Sequence, residues 1–186
     1  MPKLPIQPTL DRPSQPRRRM LIAGLAALPI ATATTPVRAA APRSLSFLHL
    51  HTDERLSVTY YAAGRYLPAA LARINHLLRD FRTGKRHPID PLLLDTIHAL
   101  SDRLGGSTFE VISGYRSPAT NAMLQRNSDG VASKSLHMQG RAIDVRLTGV
   151  NTAALRDQAI ALARGGVGYY PASDFVHLDT GRIRRW

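Results

Sequence analysis

The sequence predicts an α+β fold: a small antiparallel β-sheet flanked by helices. Three observations lead there. Two β-rich runs near residues 44–61 read as a hairpin, apolar residues then recur twice at helical spacing, and the last third alternates in short strands around one inserted helix.

The elements follow in chain order. Residues 44–51 alternate over part of their length and 56–61 are rich in β-formers, with Thr52-Asp53-Glu54 as the turn. Leu67, Leu71, Ile74, Leu77, Leu78 and Phe81 lie on one helical face, so a helix is expected over 67–81. Residues 83–88 form a loop. Asp90-Pro91 is an N-cap followed by proline at the first helical position, and Leu94, Ile97, Leu100 and Leu104 line the helix that ends at Gly105-Gly106. Residues 109–113 make a strand. Ser117-Pro118 repeats the cap signal and opens a helix to about Arg126, followed by a polar loop over 127–135. Residues 141–147 are a strand, Asn151 or Thr152 caps a helix to Arg164, and Gly165-Gly166 is its stop. Strands at 167–170 and 175–179, with Pro171 between them, complete the chain, and no internal repeat is visible.

At 186 residues the length fits one catalytic-size domain. The absence of cysteine excludes disulfides, cysteine-ligated metal and thiol chemistry, so any metal must be held by His, Asp or Glu. Residues 1–39 read as an export signal: Arg17-Arg18-Arg19, an apolar run from Leu21 to Ile30, and small-residue cleavage patterns at Val37-Arg38-Ala39 or Ala31-Thr32-Ala33. Ser14 to Leu21 resembles a twin-arginine signal, with its pair at Arg17 and Arg18, which points to a periplasmic or exported protein. The apolar run is shorter than the ~20 residues a membrane span needs, so no stable span is expected after cleavage. Six of the 25 basic and one of the 13 acidic residues fall in this leader, leaving residues 40–186 as a single domain of net charge +7. Such a balance suits an anionic partner. No nucleic-acid-binding motif is present, and wall polymer fits an exported chain better.

The chemistry concentrates in two segments, Ser135-Leu-His137-Met-Gln-Gly140-Arg-Ala-Ile-Asp144 and Asp174-Phe-Val-His177-Leu-Asp179. Two histidines and a carboxylate can hold Zn²⁺ by three ligands and leave a fourth position for water. Strand parity supports the grouping. Ile143, Val145 and Leu147 share a core face, so Asp144 points away from it. Val176 and Leu178 do the same opposite His177 and Asp179. Adjacent strands would then bring Asp144 and His177 together, with His137 folding over them from the loop. Asp174, at the wrong parity, belongs to the turn before that strand. His49 and His51 could share a metal on spacing alone, but packing or solvent exposure is the plainer reading, as it is for His76, His87 and His98.

Ser113-Gly-Tyr-Arg116-Ser-Pro118, Ser135-x-His137-x-x-Gly140-x-Ala142-x-Asp144 and Val176-His177-x-Asp179 resemble the motifs of D-Ala-D-Ala-type zinc metallopeptidases, the wider group of VanX-like dipeptidases and lysostaphin and hedgehog folds. More closely, the chain from about Leu45 to Trp186 is similar to the murein endopeptidase K (YcbK-like) family. That resemblance implies Zn²⁺ on His137, Asp144 and His177. Asp174 stands where many relatives place a glutamate base, and is one methylene shorter. Arg116 would stabilise an oxyanion; Ser135 and Asp179 would orient the ligand histidines or, equally, Ser135 forms a turn and Asp179 pairs with Arg182 or Arg184. The implied activity is hydrolysis of peptidoglycan stem-peptide cross-links, either L,D (3–3) or D,D (4–3). A carboxypeptidase and a non-catalytic wall-binding module are the alternatives. Tyr169 and Tyr170 would pack or line the substrate groove.

Overall fold

The first strand, β1 (Arg43–His49), turns back into β2 (Arg55–Ala62), and Leu45 and Phe47 face Val58 and Leu56 across the hairpin. The computed structural model describes Met1 and residues 41–127 and 131–186. The export signal expected over 1–39 therefore lies, but for Met1, outside the described residues. The short β3 (Arg65–Tyr66) leads into α1 (Pro68–Leu77) and α2 (Pro91–Leu104). After β4 (Phe109–Ser113) come α3 (Pro118–Asn127), a 3₁₀ turn at Leu136–Gln139 and β5 (Ala142–Leu147). Then follow α4 (Thr152–Leu162), β6 (Gly166–Tyr170), β7 (Phe175–Asp179) and β8 (Arg184–Arg185).

The eight strands form one sheet in the order β3-β2-β1-β4-β5-β7-β6-β8. Its central run β4-β5-β7-β6 is antiparallel, as the alternation predicts. The sheet is nevertheless larger than expected and mixed, because β1 pairs parallel with β4 and the C-terminal β8 pairs parallel with β6. A two-residue edge strand carries too little alternation to be seen in sequence.

One face of the sheet is covered by the core. Phe47, Phe109, Val111, Ile143, Val145, Val176 and Leu178 pack with Ile74, Leu94, Ile97 and Leu100 of the first two helices and Leu155 of α4, each at most 2% exposed. Each such side chain contributes on the order of 1.5–3 kcal/mol by leaving water. The opposite face of β5, β7 and β6 carries the polar residues and is where the site forms.

Two helix ends differ from expectation. The first helix stops at Leu77 rather than near 81, because the buried Asp80 carboxylate accepts from the backbone N–H groups of Arg82 and Thr83 and draws the chain into a turn. The last helix stops at Leu162, with Ala163 in the left-handed region at φ 52°. Gly165-Gly166 serves a different need: a Cβ on Gly165 would stand 1.7 Å from the Asp179 carbonyl oxygen. At α2 and α4 the caps are side-chain hydrogen bonds, Leu92 N–H to Asp90 Oδ1 and Ala153 N–H to Asn151 Oδ1.

Candidate metal centre

Antiparallel pairing sets Asp144 of β5 directly opposite His177 of β7. His137 arrives from the 3₁₀ turn, which Gly140 closes at φ 64°. No other residue fits there, since a Cβ would stand 2.1 Å from the Pro88 carbonyl oxygen. The result is a buried triad. His177 Nδ1 lies 2.8 Å from Asp144 Oδ1, His137 Nε2 lies 3.2 Å from the same oxygen, and the two nitrogens are 3.2 Å apart.

The groups behind the rings decide which nitrogens face inward. His137 Nδ1–H donates to the Gly114 carbonyl at 2.7 Å, because that oxygen can only accept. His177 Nε2–H donates to the Asp179 carboxylate at 3.1 Å. With a metal bound, each imidazole would be neutral and turn a lone pair toward the Asp144 carboxylate; without one, a proton on His177 Nδ1 meets that carboxylate. Three electron-rich atoms turned toward one point repel unless a cation lies among them. Tetrahedral bonds of roughly 2.0–2.1 Å give ligand–ligand edges of about 3.3 Å, close to the spacing found. His137, Asp144 and His177 form the one cluster of three such donors among the described residues.

The same carboxylates favour a positive charge at this spot. Burial opposes charge on His177, yet Asp144 and Asp179 push its pKa up to about 9. Burial pushes His137 down. Burial alone would raise Asp144, but the two imidazoles hold it well below the usual carboxylate range. Asp179 is held low in the same way by His177 and by Arg184, whose Nη2 donates to Asp179 Oδ2 at 2.7 Å.

The triad opens on a cavity of about 550 Å³ whose wall includes Arg116, Lys134, Tyr170, Phe175, Arg184 and Trp186. Arg116 Nη2 stands 3.4 Å from Asp144 Oδ2 and from Ser113 Oγ. Ser135 also lines the cavity. It caps the 3₁₀ turn through its backbone, accepting from Met138 N–H, while the partner of the His137 ring is Gly114. Asp174 sits in the left-handed region at φ 50°, just before β7. Its Oδ1 accepts from Thr152 Oγ1 at 2.8 Å, its Oδ2 pairs with Arg146 at 3.5 Å, and it is not part of the cavity wall. His49 is buried and His51 stacks on Phe81, away from the triad. Of the two tyrosines, Tyr170 reaches the cavity and Tyr169 packs on the core.

Sequence reasoning offered Arg184 as a partner of Asp179, as found, but missed that Arg184 and Trp186 form a wall of the cavity. Arg184 and Trp186 reach the triad only because β8 adds to the sheet edge. The available signal was Gly166-x-Gly168, alternate glycines in a strand, which mark a close approach of other atoms. The Gly114 carbonyl has no side-chain signature at all.

An α+β domain whose antiparallel strands present a His–Asp–His centre at an open cavity has the build of a metallopeptidase. The chain belongs to the peptidoglycan L,D-endopeptidase MepK family of peptidases, whose model matches residues 37–186. Over 168 residues it is 43% identical to the "Probable peptidoglycan L,D-endopeptidase MepK" of Haemophilus influenzae, covering 88% of each chain. Over 182 residues it is 40% identical to the peptidoglycan L,D-endopeptidase MepK of Escherichia coli (strain K12), covering 95% of this chain and 100% of that one. The protein of the same description from Shigella flexneri matches to the same extent.

Proposed function

We propose that this chain is a zinc-dependent murein endopeptidase that hydrolyses peptide cross-links in peptidoglycan, and that the bond it cuts is the L,D (3–3) link. The observation that carries the reading is the convergence of three oriented donor atoms, with Arg116 beside them, at an open cavity. Two nitrogens and one oxygen suit zinc better than a hard cation such as magnesium or calcium. The L,D-endopeptidase names of the Haemophilus influenzae and Escherichia coli relatives support the choice of bond.

Zinc bound there would lower the pKa of a water toward 7 and polarise the scissile carbonyl. The protein's own groups do the rest. Gly114 and Asp179 hold the imidazoles in the ligating tautomers. Arg116 offers its guanidinium to the carbonyl oxygen as negative charge develops there. Asp174 accepts the proton and returns it to the leaving amine. Among the described residues, the cavity wall holds no carboxylate besides Asp144, and the Asp179 side chain is fully buried behind His177. Asp174 adjoins Phe175 of the wall, so rotation away from Arg146 and Thr152 is the motion that delivers an acid. Ser135 supports the turn that carries His137.

The same reading places the catalytic domain at 40–186 behind a twin-arginine signal at 1–39, with the periplasm as the working compartment. Among the described residues no helix is long and apolar enough to cross a membrane. The test is mass spectrometry of muropeptides after purified protein with stoichiometric zinc has acted on sacculi. Loss of 3–3 dimers is expected. Binding without any product would establish the non-catalytic module instead.

A further inference from the structure

The ligand face of the sheet continues past His177 as glycine. Gly168 is the register partner of His177, and Gly166 N–H donates to Asp179 Oδ1. Two side chains from β8 and the residue after it lie over these glycines. A Cβ on Gly166 would stand 2.4 Å from Arg184 Nη1, and one on Gly168 would stand 2.7 Å from the Trp186 indole. The indole is pinned at several points. Its Nε1–H donates to Tyr170 Oη at 2.8 Å, and its ring lies 5.3 Å from the His177 imidazole. Trp186 N–H donates to the Val167 carbonyl, and its own carbonyl accepts from Tyr169 N–H. Yet Trp186 remains 51% exposed at the cavity wall.

A large aromatic surface held rigidly in solvent beside a reactive centre is a docking surface for an apolar group. The rest of the wall states what that group is attached to. It carries Arg116 and Lys134, with Arg184 paired to Asp179, against the acid Asp144, which a bound cation neutralises. We infer that Trp186 is a specificity-determining residue, and that its indole receives the aliphatic stem of a carboxylate-bearing residue next to the scissile bond. This inference rests on the endopeptidase reading and adds a subsite to it.

Trp186 is the only tryptophan in the chain, so its fluorescence reports on this spot alone. The probe is a synthetic 3–3 cross-linked stem-peptide dimer with free carboxylates, mixed rapidly with the zinc-loaded protein so that binding is read before turnover, and assayed for cleavage in parallel. A saturable fluorescence change is expected. Trp186→Ala should raise KM about tenfold while kcat moves less than threefold, and Trp186→Phe should recover most of the loss. Because Trp186→Ala could loosen β8, Gly168→Ala provides a second route: it displaces the indole and should reproduce the KM rise with Trp186 present. Cleavage with unaltered fluorescence and an unaltered KM in both alanine variants would overturn the subsite and leave the endopeptidase standing. A saturable change in the wild type that Gly168→Ala abolishes, without cleavage by the wild type, would support the subsite and overturn the endopeptidase.

Discussion

At the residue scale, each imidazole of the triad is governed by the atom behind it. His177 is one of the three proposed ligands, so His177→Ala should lose zinc on gel filtration; full zinc content by elemental analysis would refute the assignment. Asp179 touches the centre only through His177 Nε2 and is itself braced by Arg184. Asp179→Asn should therefore keep the site but weaken zinc affinity about 10–100-fold, measured by chelator competition, as loss of an oriented partner to a ligand histidine does. Asp174 differs in kind, since its contacts are Thr152 and Arg146 and no ligand. Asp174→Asn should retain zinc and lower kcat about 10²–10⁴-fold, the usual worth of a positioned base. Unchanged turnover would move the proton transfer to another group.

At the element scale, Asp80 joins the end of α1 to the start of α3. Its Oδ2 accepts from Ser117 N–H at 2.9 Å, and its Oδ1 accepts from Arg82 and Thr83. Burial raises its pKa, but the Ser117 and Thr120 hydroxyls, with these backbone donors, outweigh burial and hold it at about 2. A carboxylate depressed on folding stabilises above its unfolded pKa of roughly 3.9. That contribution is lost as the pH falls toward 2. Asp80→Asn should cost on the order of 2 kcal/mol in urea unfolding at pH 6 and nothing near pH 2; an equal cost at both would remove the linkage. The same residue marks the limit of reading elements from sequence. Apolar spacing continues to Phe81, and nothing local shows that a backbone N–H 37 positions away will claim the Asp80 carboxylate. The cap at Asp90-Pro91 and the parity of Asp144 and His177 were legible because strand and cap rules act over a few residues. Trp186 and Gly114 were not, because a sheet-edge addition and a backbone carbonyl carry no local pattern.

At the scale of the whole molecule, the centre fastens segments far apart in sequence. His137 belongs to the 3₁₀ turn before β5, Asp144 to β5 and His177 to β7, and the three converge only in the folded chain. An ion that binds this arrangement and not the unfolded chain stabilises it by mass action, by about 4 kcal/mol at a thousandfold excess over Kd. For a domain of this length that corresponds to a rise in Tm of roughly 8–16 °C. Scanning calorimetry with chelator and then with restored zinc should show the rise, and His137→Ala should melt at one temperature in both conditions. A wild-type Tm indifferent to zinc would mean that these ligands do not hold the ion in the folded protein. A zinc response that survives in His137→Ala would place the stabilising ion elsewhere in the chain.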